Sequence, residues 1–123
     1  MQEVEIEKEE GDKDPLLILE KITDMMLYAY PVLNDFPRYE RFTLAADIKR
    51  CMDQMMERTI EANKKYYKKT TLQDLDVEID KLRKYIRLSY RLKYIDFKKY
   101  KHWKGLVNEI GNMLGGWMKS VKK

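Results

Sequence analysis

Residues 81–105, KLRKYIRLSYRLKYIDFKKYKHWKG, set ten Lys or Arg against a single acid, Asp96, with four Tyr, one Phe and one Trp among them. Cations interleaved with aromatics suit a polyanion: ammonium and guanidinium groups pair with phosphates, and rings stack on bases. Arg83, Arg87 and Arg91 stand at i, i+4 and i+8, so on a helix they form one ladder with Lys84 beside it. Lys98 joins that ladder if the helix runs far enough, and Lys99 and Lys101 follow it in sequence. Only two acid–base pairs are expected nearby, Asp80 with Lys84 and Glu78 with Lys81, so most of this charge is uncompensated locally. Tyr85, Tyr90, Tyr94 and Tyr100 fit stacking or phosphate contact, and equally a boundary position with the ring buried and the hydroxyl wet. The plainer reading of the whole run is a solvated helix face. A purely structural face usually mixes signs, and this one does not.

A second cluster, Lys64, Lys65, Lys68 and Lys69 with Tyr66 and Tyr67, precedes the first, and the basic surface is expected to continue onto it. The net charge of +4 conceals an asymmetry: −5 over residues 1–14, −2 over residues 15–63 and +11 over residues 64–123. Such a division points to a polyanionic partner.

Catalytic groups are scarce. His102 is the only histidine, and neither Glu78 nor Glu109 stands at a metal-binding spacing from it, so no metal or cofactor site is expected. The lone Cys51 lies on an apolar helix side and reads as a buried, inert thiol. GNMLGG is not followed by Lys-Ser or Lys-Thr and falls inside a helical pattern, so it is no phosphate loop. An enzyme is not expected.

The elements that must position the cations are helical. Residues 1–14 read as a disordered acidic leader and residues 15–123 as one domain. A first helix is predicted from Pro15, capped by Asp14, to about Tyr30, where Pro31 disfavours continuation. A second is predicted over about 39–67, with Phe42, Ala45, Ile48, Met52, Met55, Thr59 and Ala62 on one face. A third starts from Thr71 as N-cap and ends near Ile95 to Phe97, its core seam being Leu72, Leu75, Ile79, Leu82, Ile86 and Ser89. A fourth begins near Lys99, with Trp103 and Trp117 on one side. Gly111, Gly115 and Gly116 lower helix propensity on that element; they serve either a tight crossing within the chain or packing between subunits. Four amphipathic helices with short connections imply an all-α, antiparallel up-down-up-down four-helix bundle. No apolar run is long enough to span a bilayer, the N-terminus lacks the apolar stretch of a signal peptide, and a cytoplasmic location is the simplest reading.

YAYPVLNDFPR (Tyr28, Tyr30, Pro31, Pro37, Arg38) and EIGNMLGGWMKSVKK (Gly111, Leu114, Gly115, Trp117) resemble the accessory variability determinant, Avd, of diversity-generating retroelements. The wider group includes four-helix-bundle proteins encoded in intervening sequences of 23S ribosomal RNA genes. The resemblance covers about residues 15–123, and the acidic leader departs from it. It implies a homo-oligomeric ring, a homopentamer, with a basic surface. It also implies a non-enzymatic accessory protein that binds nucleic acid and a reverse transcriptase during copying of template RNA into cDNA. By that resemblance Arg83, Lys84, Arg87, Arg91 and Lys98 contact phosphates, while Gly111, Gly115 and Trp117 are structural. The full candidate nucleic-acid-binding set is Arg83, Lys84, Arg87, Arg91, Lys98, Lys99, Lys101, Lys64, Lys65 and Lys68. The alternative is an oligomeric helical scaffold of the intervening-sequence type that docks a protein partner, with no reverse transcriptase.

Overall fold

Pro15 occupies the first helical position of α1 (Pro15–Asn34), where a missing N–H costs nothing. A computed structural model describes residues 15–121; the acidic leader and Asp14 lie outside the described residues. Ile18, Ile22, Met25 and Ala29 recur at three- and four-residue spacing and are fully buried. The helix does not stop at Tyr30. Pro31 lies inside it, and the turn beyond buries Val32 and Leu33. An interior proline costs ~3 kcal/mol, and burying two branched aliphatics returns roughly 3–6 kcal/mol, so packing overrides the local preference.

The chain then crosses a short 3₁₀ turn (Arg38–Glu40) to α2 (Leu44–Lys64). The start falls five residues later than its apolar pattern predicts, and Phe42 is 83% exposed rather than part of the core face. Glu40 fixes this entry. Its carboxylate accepts from the Thr43 hydroxyl and from the Leu44 N–H (3.2 Å), and also from the Tyr94 hydroxyl (2.7 Å). One side chain thereby satisfies an orphan donor of α2 and ties the α1–α2 connection to the α3–α4 connection.

α3 spans Lys69–Arg91. Thr71 is not its cap: it is buried within the first turn and accepts from the Lys65 ammonium (3.1 Å). The helix also ends earlier than predicted. Lys93 adopts φ 67°, Tyr94 N–H donates to Ser89 O (2.9 Å) and Lys93 N–H to Tyr90 O (2.9 Å). Those two bonds make a Schellman stop, with lysine where glycine is usual. Lys98 therefore does not extend the Arg83–Arg87–Arg91 ladder; it belongs to α4 (Phe97–Ser120). Asp96 caps α4, its carboxylate accepting from Lys99 N–H (2.9 Å), so this helix begins two residues before the predicted Lys99.

α1 and α3 each pack against both α2 and α4, closing a four-helix bundle with no strand among the described residues. Contacts of α1 with α4 pair Lys21 with Glu109 and Tyr28 with His102, so these helices run antiparallel. Trp103, Val107, Ile110, Leu114 and Trp117 of α4 face Leu75, Ile79, Leu82 and Ile86 of α3 in the shared core. The α1–α2 and α3–α4 connections form one end of the bundle, and the α2–α3 connection the other.

Candidate nucleic-acid interface

The seam between α3 and α4 is set by a close approach. An added Cβ at Gly111 would lie 2.5 Å from a terminal nitrogen of Arg83, so the missing side chain is what seats the guanidinium there. Arg83 Nε donates to Asn108 Oδ1 (3.0 Å), and another of its nitrogens lies 3.9 Å from Asp80. Arg83 is thus half-buried and engaged across the two helices, the structural role its place nearest the apolar seam suggests. Gly115 and Gly116 differ, since a Cβ at either would meet nothing within 4 Å. Tight intrachain packing accounts for Gly111 and not for these two. Trp117 is buried in the core.

Above Arg83 the same face of α3 carries Arg87 and then Arg91, both exposed and without an ion-pair partner among the described residues. Lys84 is exposed and pairs with Asp80 (3.6 Å). Across the seam, α4 turns Phe97, Lys101 and Lys104 to the same side at i, i+4 and i+7. Between the two rows Tyr90 and Tyr100 stack, with centroids 4.7 Å apart and planes at 18°. Lys104 lies over the Tyr100 ring, 5.5 Å from its centroid. Two of the four tyrosines are therefore committed to each other. Tyr94 is committed to Glu40 and to Phe36 (5.2 Å), and Tyr85 is partly buried against the core. Lys98 lies 100° round α4 from Phe97, toward α1, where it lines a recess with Lys101 and His102. The Lys99 ammonium has no ion-pair partner among the described residues.

The Lys64 cluster is not continuous with this surface. It lies at the opposite end of α3, a helix of 23 residues and so about 33 Å long. Two of its members are occupied. Lys65 pairs with Glu61 (3.2 Å) as well as reaching Thr71. Lys68 folds back on the end of α2, donating to the carbonyls of Ala62 (2.8 Å) and Lys65. It satisfies acceptors that the helix leaves open. Lys64 is exposed. Of the ten cations proposed from sequence, the structure gathers Arg87, Arg91 and Lys101 on one face with Lys98 and Lys99 around the head of α4. It engages Arg83, Lys65 and Lys68 in holding the fold.

Three other groups with reactive chemistry are accounted for. Cys51 is buried and donates to the Glu78 carbonyl (3.2 Å); burial, then that hydrogen bond, push its thiol up to about 12. His102 packs edge-on against Tyr28 (4.6 Å) on the α4 surface. Hydrogen bonds from Thr43, Tyr94 and the Leu44 N–H hold the Glu40 carboxyl below its ordinary value, and Glu40 in turn raises the Tyr94 phenol. Sequence reasoning missed Glu40, whose partner is 54 residues away. It also did not single out Phe97. The available signal there was Asp96 three residues before Lys99, an N-cap spacing that puts Phe97 at the first helical position.

The model of the bAvd-like family matches residues 16–121 of this chain, all but the ends of the four-helix region. A comparison with curated proteins gives no match.

Proposed function

Because this chain belongs to the bAvd-like family, we propose that it is a non-enzymatic accessory protein of a diversity-generating retroelement. It binds template RNA and the RNA–cDNA copy through phosphate contacts and partners the reverse transcriptase. It works as a homo-oligomeric ring, a pentamer, in the cytoplasm. The family match carries the reading. The unpaired cations at the head of α3 and α4 supply the chemistry, since Arg87, Arg91 and Lys101 have no acid to neutralise them among the described residues. Gly115 and Gly116 leave bare backbone on α4, which suits close packing of a second subunit. No described helix is long and apolar enough to cross a membrane.

Salt titration of RNA binding tests it. Each neutralised phosphate contributes a log–log slope of roughly 0.7 on a single strand. Replacing Arg87 and Arg91 by Ala removes about 1.4 from that slope, and folding is unaffected because neither side chain holds a partner among the described residues. A flat salt profile, or a slope that the double variant does not change, overturns the reading. A flat profile with assembly intact leaves the scaffold that docks a protein partner.

A further inference from the structure

Phe97 is the first residue of α4 and is 58% exposed. It meets Tyr90 edge-on at 6.0 Å and 60° and Tyr100 at a tilt of 42° and 6.2 Å, contacts that hold the ring in place without covering it. The Asp96 cap fixes the backbone beneath it. Arg87 and Arg91 flank Tyr90 on α3, and Lys101 and Lys104 follow Phe97 up the same side of α4. None of these four has an ion-pair partner among the described residues. The one acid of the 81–105 segment, Asp96, caps α4 and makes no ion pair among the described residues. A recess of about 500 Å³ opens beside the platform, lined by Tyr90, Arg91, Lys93, Tyr94, Ile95 and Asp96, so two cations and one carboxylate face it.

An exposed aromatic ring on a face carrying cations without ion-pair partners selects among occupants. An apolar protein surface would satisfy the ring and leave the charges stranded. A nucleic-acid duplex would satisfy the charges, but its base faces are stacked internally and cannot reach the ring. A single strand satisfies both, with phosphates on Arg and Lys and an unstacked base on the ring. We propose that Phe97 is a stacking platform for an unpaired base, and that the upper α3–α4 face prefers single-stranded nucleic acid to duplex. This rests on the nucleic-acid reading above.

The test is fluorescence anisotropy at one fixed salt concentration, with probes of equal length: single-stranded RNA, single-stranded DNA, duplex, and an abasic strand that keeps phosphates and loses bases. Wild-type protein binds both single strands more tightly than the duplex or the abasic strand. Phe97→Ala weakens single-strand binding by roughly 5- to 100-fold, the range of one stacked base. It leaves the duplex, the abasic strand and every salt slope unchanged. Phe97→Leu, which keeps apolar bulk without a π face, loses affinity equally, and Phe97→Trp retains it. Equal loss on all four probes, or none on the single strands, overturns the platform while the electrostatic reading stands. So does a fall in subunit number in Phe97→Ala, which would make the ring an intersubunit contact. Absence of salt-dependent binding to any probe takes down the reading and this inference together.

Discussion

Gly111→Ala tests the interhelical seat of Arg83, because two opposing terms there have similar size. Alanine in a helix interior is favoured over glycine by about 0.8–1 kcal/mol. The new Cβ, however, would stand 2.5 Å from an Arg83 nitrogen and displaces the guanidinium from its seat. That movement breaks the 3.0 Å bond to Asn108. A hydrogen bond to a charged group contributes about 1.5–3 kcal/mol when buried; with the Arg83 side chain 34% exposed, about 1 kcal/mol is the reasonable share. The expected net change in unfolding free energy is therefore within about 0.5 kcal/mol of zero. In an Arg83→Ala background the clash and the bond are both gone, and the same Gly111→Ala change should stabilise by nearly the full 1 kcal/mol. Urea unfolding of the four proteins at one protein concentration gives the cycle, and a coupling of about 1 kcal/mol is expected. If Gly111→Ala stabilises equally in both backgrounds, Arg83 is not seated on that glycine and is available as a surface cation.

Lys93→Gly should stabilise the fold by about 1 kcal/mol, because it removes a side chain from the left-handed position of the Schellman stop; thermal unfolding should shift up by about 4 °C, and no shift would mean the lysine is not strained. Glu40→Gln should be less stable than wild type at pH 7. Glu40 is held below its ordinary value of 4.5, so its contribution is present above that value and lost as pH falls through the lower folded one. The stability gap between the two proteins should close over that acid window, and a constant gap would exclude the charge as the cause. Because the Lys64 end lies about 33 Å from the head of α3, farther than a trinucleotide reaches, Lys64→Ala with Lys69→Ala should leave the binding of a trinucleotide at the head unchanged. The same pair should lower the salt slope by about 1.4 on a twenty-nucleotide strand, and equal effects at both lengths would refute the separation of the two clusters.

The four helices were legible because their apolar residues keep three- and four-residue spacing over long stretches, and that spacing is a local property of the chain. Their ends were less so, and each miss has a physical cause. Pro31 forecasts a stop by its effect on Tyr30, but Val32 and Leu33 find core space one turn on. Phe42 keeps the period of α2, yet Glu40 sets the first turn at Leu44 and leaves the ring outside. Thr71 looks like a cap, but its hydroxyl is taken by Lys65 from the preceding turn. The end of α3 carries no glycine to announce it, since Lys93 accepts the left-handed conformation that glycine ordinarily takes.

The site divides along a different line. The number and sign of the charges can be read directly from the chain, and so can their concentration in residues 81–105. Their freedom cannot. Counting acids suggested that most of the cations were unpaired, but a cation can be occupied without meeting an acid. Arg83 is held mainly by the neutral amide of Asn108, 25 residues away, and Lys68 by backbone carbonyls. Neither partner enters a charge count. The cations left over are those whose helix positions face away from both the core and the neighbouring chain ends, which is a property of the assembled bundle. They lie at the head of α3 and α4 near two carboxylates that make no ion pair among the described residues: Asp96 accepts from the Lys99 N–H, and Glu40 accepts from Tyr94, Thr43 and the Leu44 N–H.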